Sequence, residues 1–265
     1  MQHTSHLFDL GLKDKTALVC GSSAGLGRAC AEALLQAGCK VTLNGRDESR
    51  LRQAASELQD KSGRLVPYIA ADVTTEPGRS ALLSQCKAPD ILVNNAAGPP
   101  TGLLQDWDES HWHSALSCNM LAPIMLMKAF LPAMRAQHWG RIINITSSAV
   151  KAPLPLLGLS NGARSGLTGF VAGLAREIAE DGVTVNNLLP GRFSTGRLQS
   201  YITSIAKSQG LDEEAAAMKL WSANPMKRFG RPEEFGMFCA FLASTHASYM
   251  TGQNILLDGG EYPGL

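Results

Sequence analysis

Seven short apolar runs, each parted from the next by a helix-patterned segment, leave this chain few ways to fold. The runs are Lys15–Cys20, Lys40–Asn44, Leu65–Asp72, Asp90–Ala96, Gly140–Ser147, Val183–Gly191 and Gln253–Gly260. "GRACAEALLQAG" separates the first two, and "DESRLRQAASELQDK" the second and third. Strands that alternate with helices pair in parallel, because each helix carries the chain back along the sheet. "ALVC" and "IINI" are apolar at successive positions, so both faces of those strands need cover. The expectation is a single α/β domain over residues 1–265, a doubly wound parallel sheet of about seven strands with helices on both faces. Residues 192–230 break the alternation, between the sixth run and "RPEEFGMFCAFLAS". An insertion at the carboxyl end of a parallel strand is placed to cover a ligand, so this one is expected to be a substrate lid.

Composition excludes several classes. At 45% hydrophobic, 265 residues bury a core without staples. A net charge of +1, with 18% charged residues, gives no electrostatic basis for nucleic acid or an anionic membrane as partner. The six scattered cysteines include no C-x-x-C pair and read as small buried apolar groups in a reducing compartment. "MQHTSHLFDLGLKDK" lacks the basic start and apolar run of a signal peptide. Leu121–Met134 contains Lys128 and two prolines and is expected to be too short and broken to span a bilayer. The reading is a cytoplasmic protein.

The first run enters Gly21-Ser22-Ser23-Ala24-Gly25-Leu26-Gly27 and then a helix. Glycines let such a turn be tight and let backbone amides approach a pyrophosphate, and the helix start adds its positive dipole. The spacing is G-x-x-x-G-x-G, not G-x-G-x-x-G, and it is the strand–loop–helix context that carries the reading. At the end of the second run a carboxylate suits a free ribose 2′-hydroxyl and a cation suits a 2′-phosphate. Asn44 and Arg46 stand there, which tilts the cofactor to NADP(H) ahead of NAD(H).

Taken in order, the motifs resemble those of the short-chain dehydrogenases/reductases, over about Leu12 to Gly260. "GSSAGLG" resembles that family's cofactor loop, and "ADV" its adenine-contacting loop, with Asp72 and Val73. "NNAAG" resembles its N-N-A-G, with Asn95 and Ala96 beside the cofactor. Asn119 in "SCNMLAP" matches the active-site asparagine, and Ser147 in "GRIINITSS" the catalytic serine. "LLPGRFST" resembles the stretch that contacts nicotinamide, with Pro190, Gly191 and Thr195. Among subfamilies the likeness is to 3-oxoacyl-carrier-protein reductases. It implies a Rossmann-type fold, a small carbonyl or alcohol substrate, and a homotetramer or homodimer.

One departure is central. The family begins a helix with Tyr-x-x-x-Lys thirteen residues after the serine. Here those places hold Ser160 and Arg164. An aliphatic hydroxyl is a far weaker acid than a phenol, and a planar guanidinium is no substitute for a compact ammonium. The resemblance therefore implies an oxidoreductase with an atypical catalytic set of Asn119, Ser147, Ser160 and Arg164. The alternative is a non-catalytic dinucleotide-binding protein, a sensor or assembly partner. A third reading takes Gly158–Gly162, "GLSNG", as the G-x-S-x-G nucleophile elbow of a serine hydrolase. That elbow needs a strand running into the serine, and "KAPLPLLG" carries two prolines that disfavour one. His111 and His113 sit two apart, point in different directions on a helix and have no partner cluster, so no metal site is expected.

Overall fold

The computed structural model describes residues 9–264. Seven parallel strands form one sheet in the order β3-β2-β1-β4-β5-β6-β7. They are β1 (Thr16–Val19), β2 (Lys40–Gly45), β3 (Tyr68–Ala70), β4 (Ile91–Asn94), β5 (Gly140–Ile145), β6 (Val183–Pro190) and β7 (Asn254–Leu257). The strand order reverses between β1 and β4, and in sheets of this kind ligands bind outside the carboxyl ends at such a switch point. The third strand is shorter than the run Leu65–Asp72. Pro67 has no N–H for a ladder and joins only through its carbonyl, which accepts from Leu43 N at 2.9 Å.

The helices are α1 (Gly25–Gln36), α2 (Glu48–Ser62), α3 (Glu76–Gln85), α4 (Glu109–Leu116), α5 (Ala122–Ala136), α6 (Gly158–Ile178), α7 (Gly196–Gln209), α8 (Glu213–Ser222) and α9 (Pro232–Ala243). Two apolar layers account for strands that read apolar throughout. Val19, Ile91, Val93 and Ile143 meet Cys30 and Leu34 of α1 and Phe235 and Cys239 of α9. Leu18, Leu92, Ile142 and Val185 meet Leu126, Phe130 and Met134 of α5 and Leu167 and Val171 of α6. Each such side chain, fully buried, contributes about 1.5–3 kcal/mol before entropy is counted.

The expectation that Leu121–Met134 is too broken to span a bilayer is corrected. Pro123 falls in the first turn of α5, where a missing N–H costs little, and Pro132 lies inside the helix without ending it. A π-turn at Ser117–Leu121 joins α4 to α5, so Glu109–Ala136 is one helical stretch of 28 residues. By length and composition alone it could cross a membrane. Its apolar face is accounted for by the core: Leu126, Met127, Phe130 and Met134 are buried against the sheet.

An asparagine ladder runs along the sheet. Asn94 Nδ2 donates to Asn144 Oδ1 at 2.9 Å, Asn144 Nδ2 to Asn187 Oδ1 at 3.1 Å, and Asn187 Nδ2 to Asn254 Oδ1 at 2.8 Å. All four are register partners on adjacent strands. The insertion after β6 closes on itself at its base. Ser194 N donates to Gly230 O at 2.9 Å and Gly230 N to Arg192 O at 2.9 Å. Between these ends α7 and α8 bury Leu198, Ile202, Ala206 and Ala216 against each other, with Tyr201 and Ile205 packed alongside.

Candidate active site

The loop between β1 and α1 is held against the end of β4. Gly21 has φ +57°, and a Cβ there would meet Asn95 O at 2.7 Å. Asn95 Nδ2 donates to Gly21 O at 2.9 Å. Ser22, read from sequence as a cofactor contact, is fully buried. Its Oγ donates to Val19 O at 2.8 Å and accepts from Asn44 N at 3.1 Å, so the hydroxyl braces β1 to β2 and does not face a ligand. Ser23 is half-buried.

The start of α1, like that of α6, lacks the side-chain cap that five other helices carry. Asp47, Thr75, Asp108, Thr195 and Asp212 accept backbone N–H bonds at the starts of α2, α3, α4, α7 and α8. At α1 the cap is Ala24, no side chain accepts, and the first turn Gly25-Leu26-Gly27 holds no acid. The opening amides are left for an external acceptor, and the helix dipole favours an anion there. A Cβ at Gly25 would meet the Thr195 methyl at 3.7 Å, which places the start of α7 beside this loop.

The rim of β2 needs a correction. Asn44 does not present its side chain at the strand's open end. It is buried, and its Nδ2 donates to Ile69 O at 3.0 Å and Ala71 O at 3.1 Å, tying β2 to β3. Gly45 ends the strand and the exposed Arg46 follows, so a cation stands just past the strand end. Asp72 Oδ1 accepts from Thr74 N at 2.9 Å and Thr74 Oγ1 at 2.7 Å, and its other oxygen has no partner among the described residues. Val73, Asn95 and Ala96 line a cavity of about 10 Å³ with Cys20, Asn94 and Cys118, room for about one water. The Cys20 thiol is pushed up to about 12, first by burial. Pro190 closes β6, and Gly191 N donates to Leu257 O at 2.8 Å. An uncapped helix start, a glycine turn, the acceptor Asp72 and the cation Arg46 fit a dinucleotide laid along the carboxyl edge of the sheet.

The departing residues lie on α6. Ser160 and Arg164 are 7% and 8% exposed. Arg164 Nε donates to Ser160 Oγ at 3.2 Å, and its Nη1 donates to Ile145 O, at the end of β5, at 2.8 Å. Neither partner is an anion, and no carboxylate pairs with Arg164 among the described residues. Burial first, and then the charge of Arg197, holds this guanidinium down to about 10. Ser147 caps the 3₁₀ turn Ser148–Val150, its Oγ accepting from Ala149 N at 3.1 Å. Asn119 sits in the π-turn. Its Nδ2 donates to Ala97 O at 3.3 Å and Ala115 O at 3.4 Å, while Oδ1 is buried without a partner.

The G-x-S-x-G pattern has a packing cause. Ser160 is the third residue of α6, and loop, not strand, precedes it. A Cβ at Gly158 would meet the Trp107 ring at 2.6 Å, and one at Gly162 the Trp112 ring at 3.1 Å. The two indoles stand edge to face 6.3 Å apart, so the glycines clear space for them. His111 pairs with Asp108 at 2.7 Å and His113 with Glu109 at 3.3 Å, each within α4 or its cap. Tyr201, the tyrosine nearest in sequence to the site, packs into the α7–α8 cluster.

Two features had no signal in the motifs. Arg197, in the first turn of α7, donates from Nη1 to Gly98 O at 3.2 Å and from Nη2 to Pro99 O at 3.4 Å, bridging the insertion to the loop after β4. The asparagine ladder could have been found from an asparagine at matching depth in four of the runs. A second cleft, about 310 Å³, is lined by Arg192, Phe193, Met226, Arg228 and the stretch Leu256–Gly260, and does not include Ser160 or Arg164.

Fold order, glycine loop and the Asn119–Ser147–α6 arrangement together define a nicotinamide-type dehydrogenase/reductase scaffold. A family model described as enoyl-(acyl carrier protein) reductase matches residues 21–261. The chain is similar to D-beta-hydroxybutyrate dehydrogenase of Rhizobium meliloti, 31% identical, covering 93% of this chain and 98% of that one. It is also similar to 3-oxoacyl-[acyl-carrier-protein] reductase of Vibrio harveyi, 34% identical over 96% and 99%. The crystal structure of L-sorbose reductase from Gluconobacter frateurii, complexed with NADPH and L-sorbose, superposes with a TM-score of 0.93 at 31% identity, covering 97% of this chain and 100% of that chain. The chain belongs to the short-chain dehydrogenase/reductase family, a class of NAD(P)-dependent oxidoreductases.

Proposed function

We propose that this protein is an NADP(H)-dependent oxidoreductase of a small carbonyl or alcohol substrate, working with a serine–arginine pair where the family has tyrosine and lysine. Arg46 just past the end of β2, with an asparagine and no carboxylate at position 44, supports NADP(H) over NAD(H). Gly21, Ser23, Gly25, Leu26, Gly27, Asp72, Val73, Asn95, Ala96, Pro190, Gly191 and Thr195 would hold the dinucleotide, with Ser22 as a brace. Residues 192–230 would cover the substrate, a reading supported by the small core of α7 and α8 and by the Arg197 bridge.

The observation that carries the mechanism is the buried bond from Arg164 Nε to Ser160 Oγ. When bound, the dinucleotide supplies or accepts a hydride at the substrate carbon. Reduction leaves negative charge on the substrate oxygen. The Ser160 oxygen already accepts from Arg164 and the Ser147 oxygen from Ala149 N, so each hydroxyl keeps its hydrogen to donate. Two hydroxyl donors, one backed by a guanidinium in a water-poor site, stabilise an alkoxide without giving up a proton. Solvent water then gives the proton that completes the alcohol, and the hydroxide left behind passes to the bulk. The pair replaces a proton donor with charge stabilisation, and a slow enzyme follows.

A soluble cytoplasmic homotetramer or homodimer fits this reading. Exposed Leu121, Met125 and Phe170 around α5 and α6, and Met237 and Phe241 on α9, offer apolar faces for a second copy. The non-catalytic alternative is favoured by one observation: Ile145 O takes Arg164 Nη1, a bond that holds structure without chemistry. The deciding experiment is NADPH titration followed by a screen of carbonyl compounds and alcohols at the nicotinamide absorbance. Binding with no turnover across the panel would select the alternative.

A further inference from the structure

Two guanidiniums stand at the carboxyl ends of β4 and β5 without a carboxylate between them. Arg164 is buried and engages one carbonyl and one hydroxyl. A guanidinium carries five N–H donors, so three are left. Its Nη2 has no partner among the described residues. Arg197 comes down from α7 and engages only the carbonyls of Gly98 and Pro99. A Cβ on Gly98 would run into its guanidinium, so the side chain lies directly on the loop after β4. That loop also receives Asn119, through Ala97 O. The other arginines of the insertion are paired: Arg192 with Glu261 and Arg228 with Glu234. Arg197 is the arginine of residues 192–230 whose partners, among the described residues, are all neutral.

The charge of Arg197 disfavours that of Arg164, and each is anchored by backbone carbonyls at the carboxyl edge of the sheet. An anion between them would relieve both, and a carboxylate matches a guanidinium's parallel donors. We propose that the substrate is a small oxo or hydroxy acid whose carboxylate is received by Arg197 on the insertion side, while its reacting carbonyl faces Ser160 and Ser147. The assignment rests on the oxidoreductase reading above and adds the substrate's charge to it. Arg197 binds and orients. Arg164, behind Ser160, adds to the attraction and serves the developing oxyanion.

The test separates the two readings by following binding. NADPH is first titrated by its fluorescence, which tests the dinucleotide site alone. Pyruvate, acetoacetate and levulinate, each beside its methyl ester, are then titrated calorimetrically into NADPH-saturated protein and into Arg197→Gln and Arg197→Lys. At least one acid should bind tenfold or more tightly than its ester. Arg197→Gln should erase that preference while leaving ester affinity and NADPH affinity within twofold, and Arg197→Lys should keep part of it. Normal NADPH binding with acids no better than esters, or a preference that survives Arg197→Gln, overturns the acid proposal and leaves the oxidoreductase reading intact. Absent NADPH binding overturns the dinucleotide reading. The same acid and ester pairs are then titrated into cofactor-free protein, where equal binding sinks the acid proposal too.

Discussion

β5 has a buried arginine at each end, and the two sit in opposite circumstances. Arg141, at the amino end, is 3% exposed. It donates to the carbonyls of Gly140 at 2.8 Å, Gly182 at 3.2 Å and Ser244 at 3.5 Å, and its guanidinium lies 4.5 Å from the Trp139 ring centroid. Arg164, at the carboxyl end, has one carbonyl, one hydroxyl and, among the described residues, no aromatic face. Burial lowers the pKa of both. Equal burial therefore does not mean equal purpose. Arg141 is held by three carbonyls and an indole at the base of the sheet, while Arg164 is held by one carbonyl and one hydroxyl.

The contrast breaks most decisively at Ser160 and Arg164. The double variant Ser160→Tyr, Arg164→Lys is expected to raise NADPH-dependent reduction of 3-oxo esters by roughly 10²–10⁴-fold, the range of positioned general-acid catalysis. Neither single change should suffice, because an unassisted phenol keeps a high pKa and a lone lysine has no phenol to tune. Fast wild-type turnover that the double variant abolishes would show that the serine–arginine pair is a complete site and that the charge-stabilisation account of a slow enzyme is wrong.

Stability sharpens the same comparison. Arg141→Met strands three carbonyls at the closed end and is expected to cost about 2–4 kcal/mol in urea unfolding. Arg46→Ala, which removes a cation from the dinucleotide rim, should weaken NADPH by about 1.5–3 kcal/mol and leave NADH unchanged. Equal wild-type affinities for the two cofactors would remove the 2′-phosphate assignment. Arg164→Met should change stability by only about 1 kcal/mol either way at pH 8, because an unpaired buried charge is replaced by a side chain that needs no partner.

The pH dependence has a definite sign. The folded pKa of Arg164, about 10, lies below the ordinary guanidinium range. Between those values the unfolded chain binds more protons, so this residue's contribution to stability rises with pH. Its penalty is present in full below about pH 10. Any advantage of Arg164→Met over wild type should therefore shrink from pH 8 to pH 11. A difference that stays flat over that range would show that the folded guanidinium titrates as it does in water.

Much of this was legible before any coordinates. Hydrophobic runs on both faces and short turns are local properties, so the seven strands and the single sheet follow from pattern alone, with β3 and β7 shortened at their ends. The glycine loop was legible because a positive φ and a close neighbour leave little choice but glycine, as at Gly21. Less was readable where a residue's partner lies far away in the chain. Ser22 looked like a ligand contact until Val19 and Asn44 were seen to use its hydroxyl. Asn44 looked like a rim residue until its amide was found on β3's carbonyls.

The order of residues along the chain was enough to determine the fold class, the dinucleotide edge and the absence of a tyrosine and lysine where α6 begins. The first two are set by periodicity and spacing within some twenty residues, where backbone geometry allows few alternatives, and the third shows only against the family the motifs resemble. Tertiary structure alone decided the rest. It made the glycines of "GLSNG" room for Trp107 and Trp112, carried Glu109–Ala136 through its prolines as one stretch, and brought Arg197 across 99 residues to Gly98. Contacts at that separation depend on how layers pack, and no local preference of the chain encodes which side chains will meet.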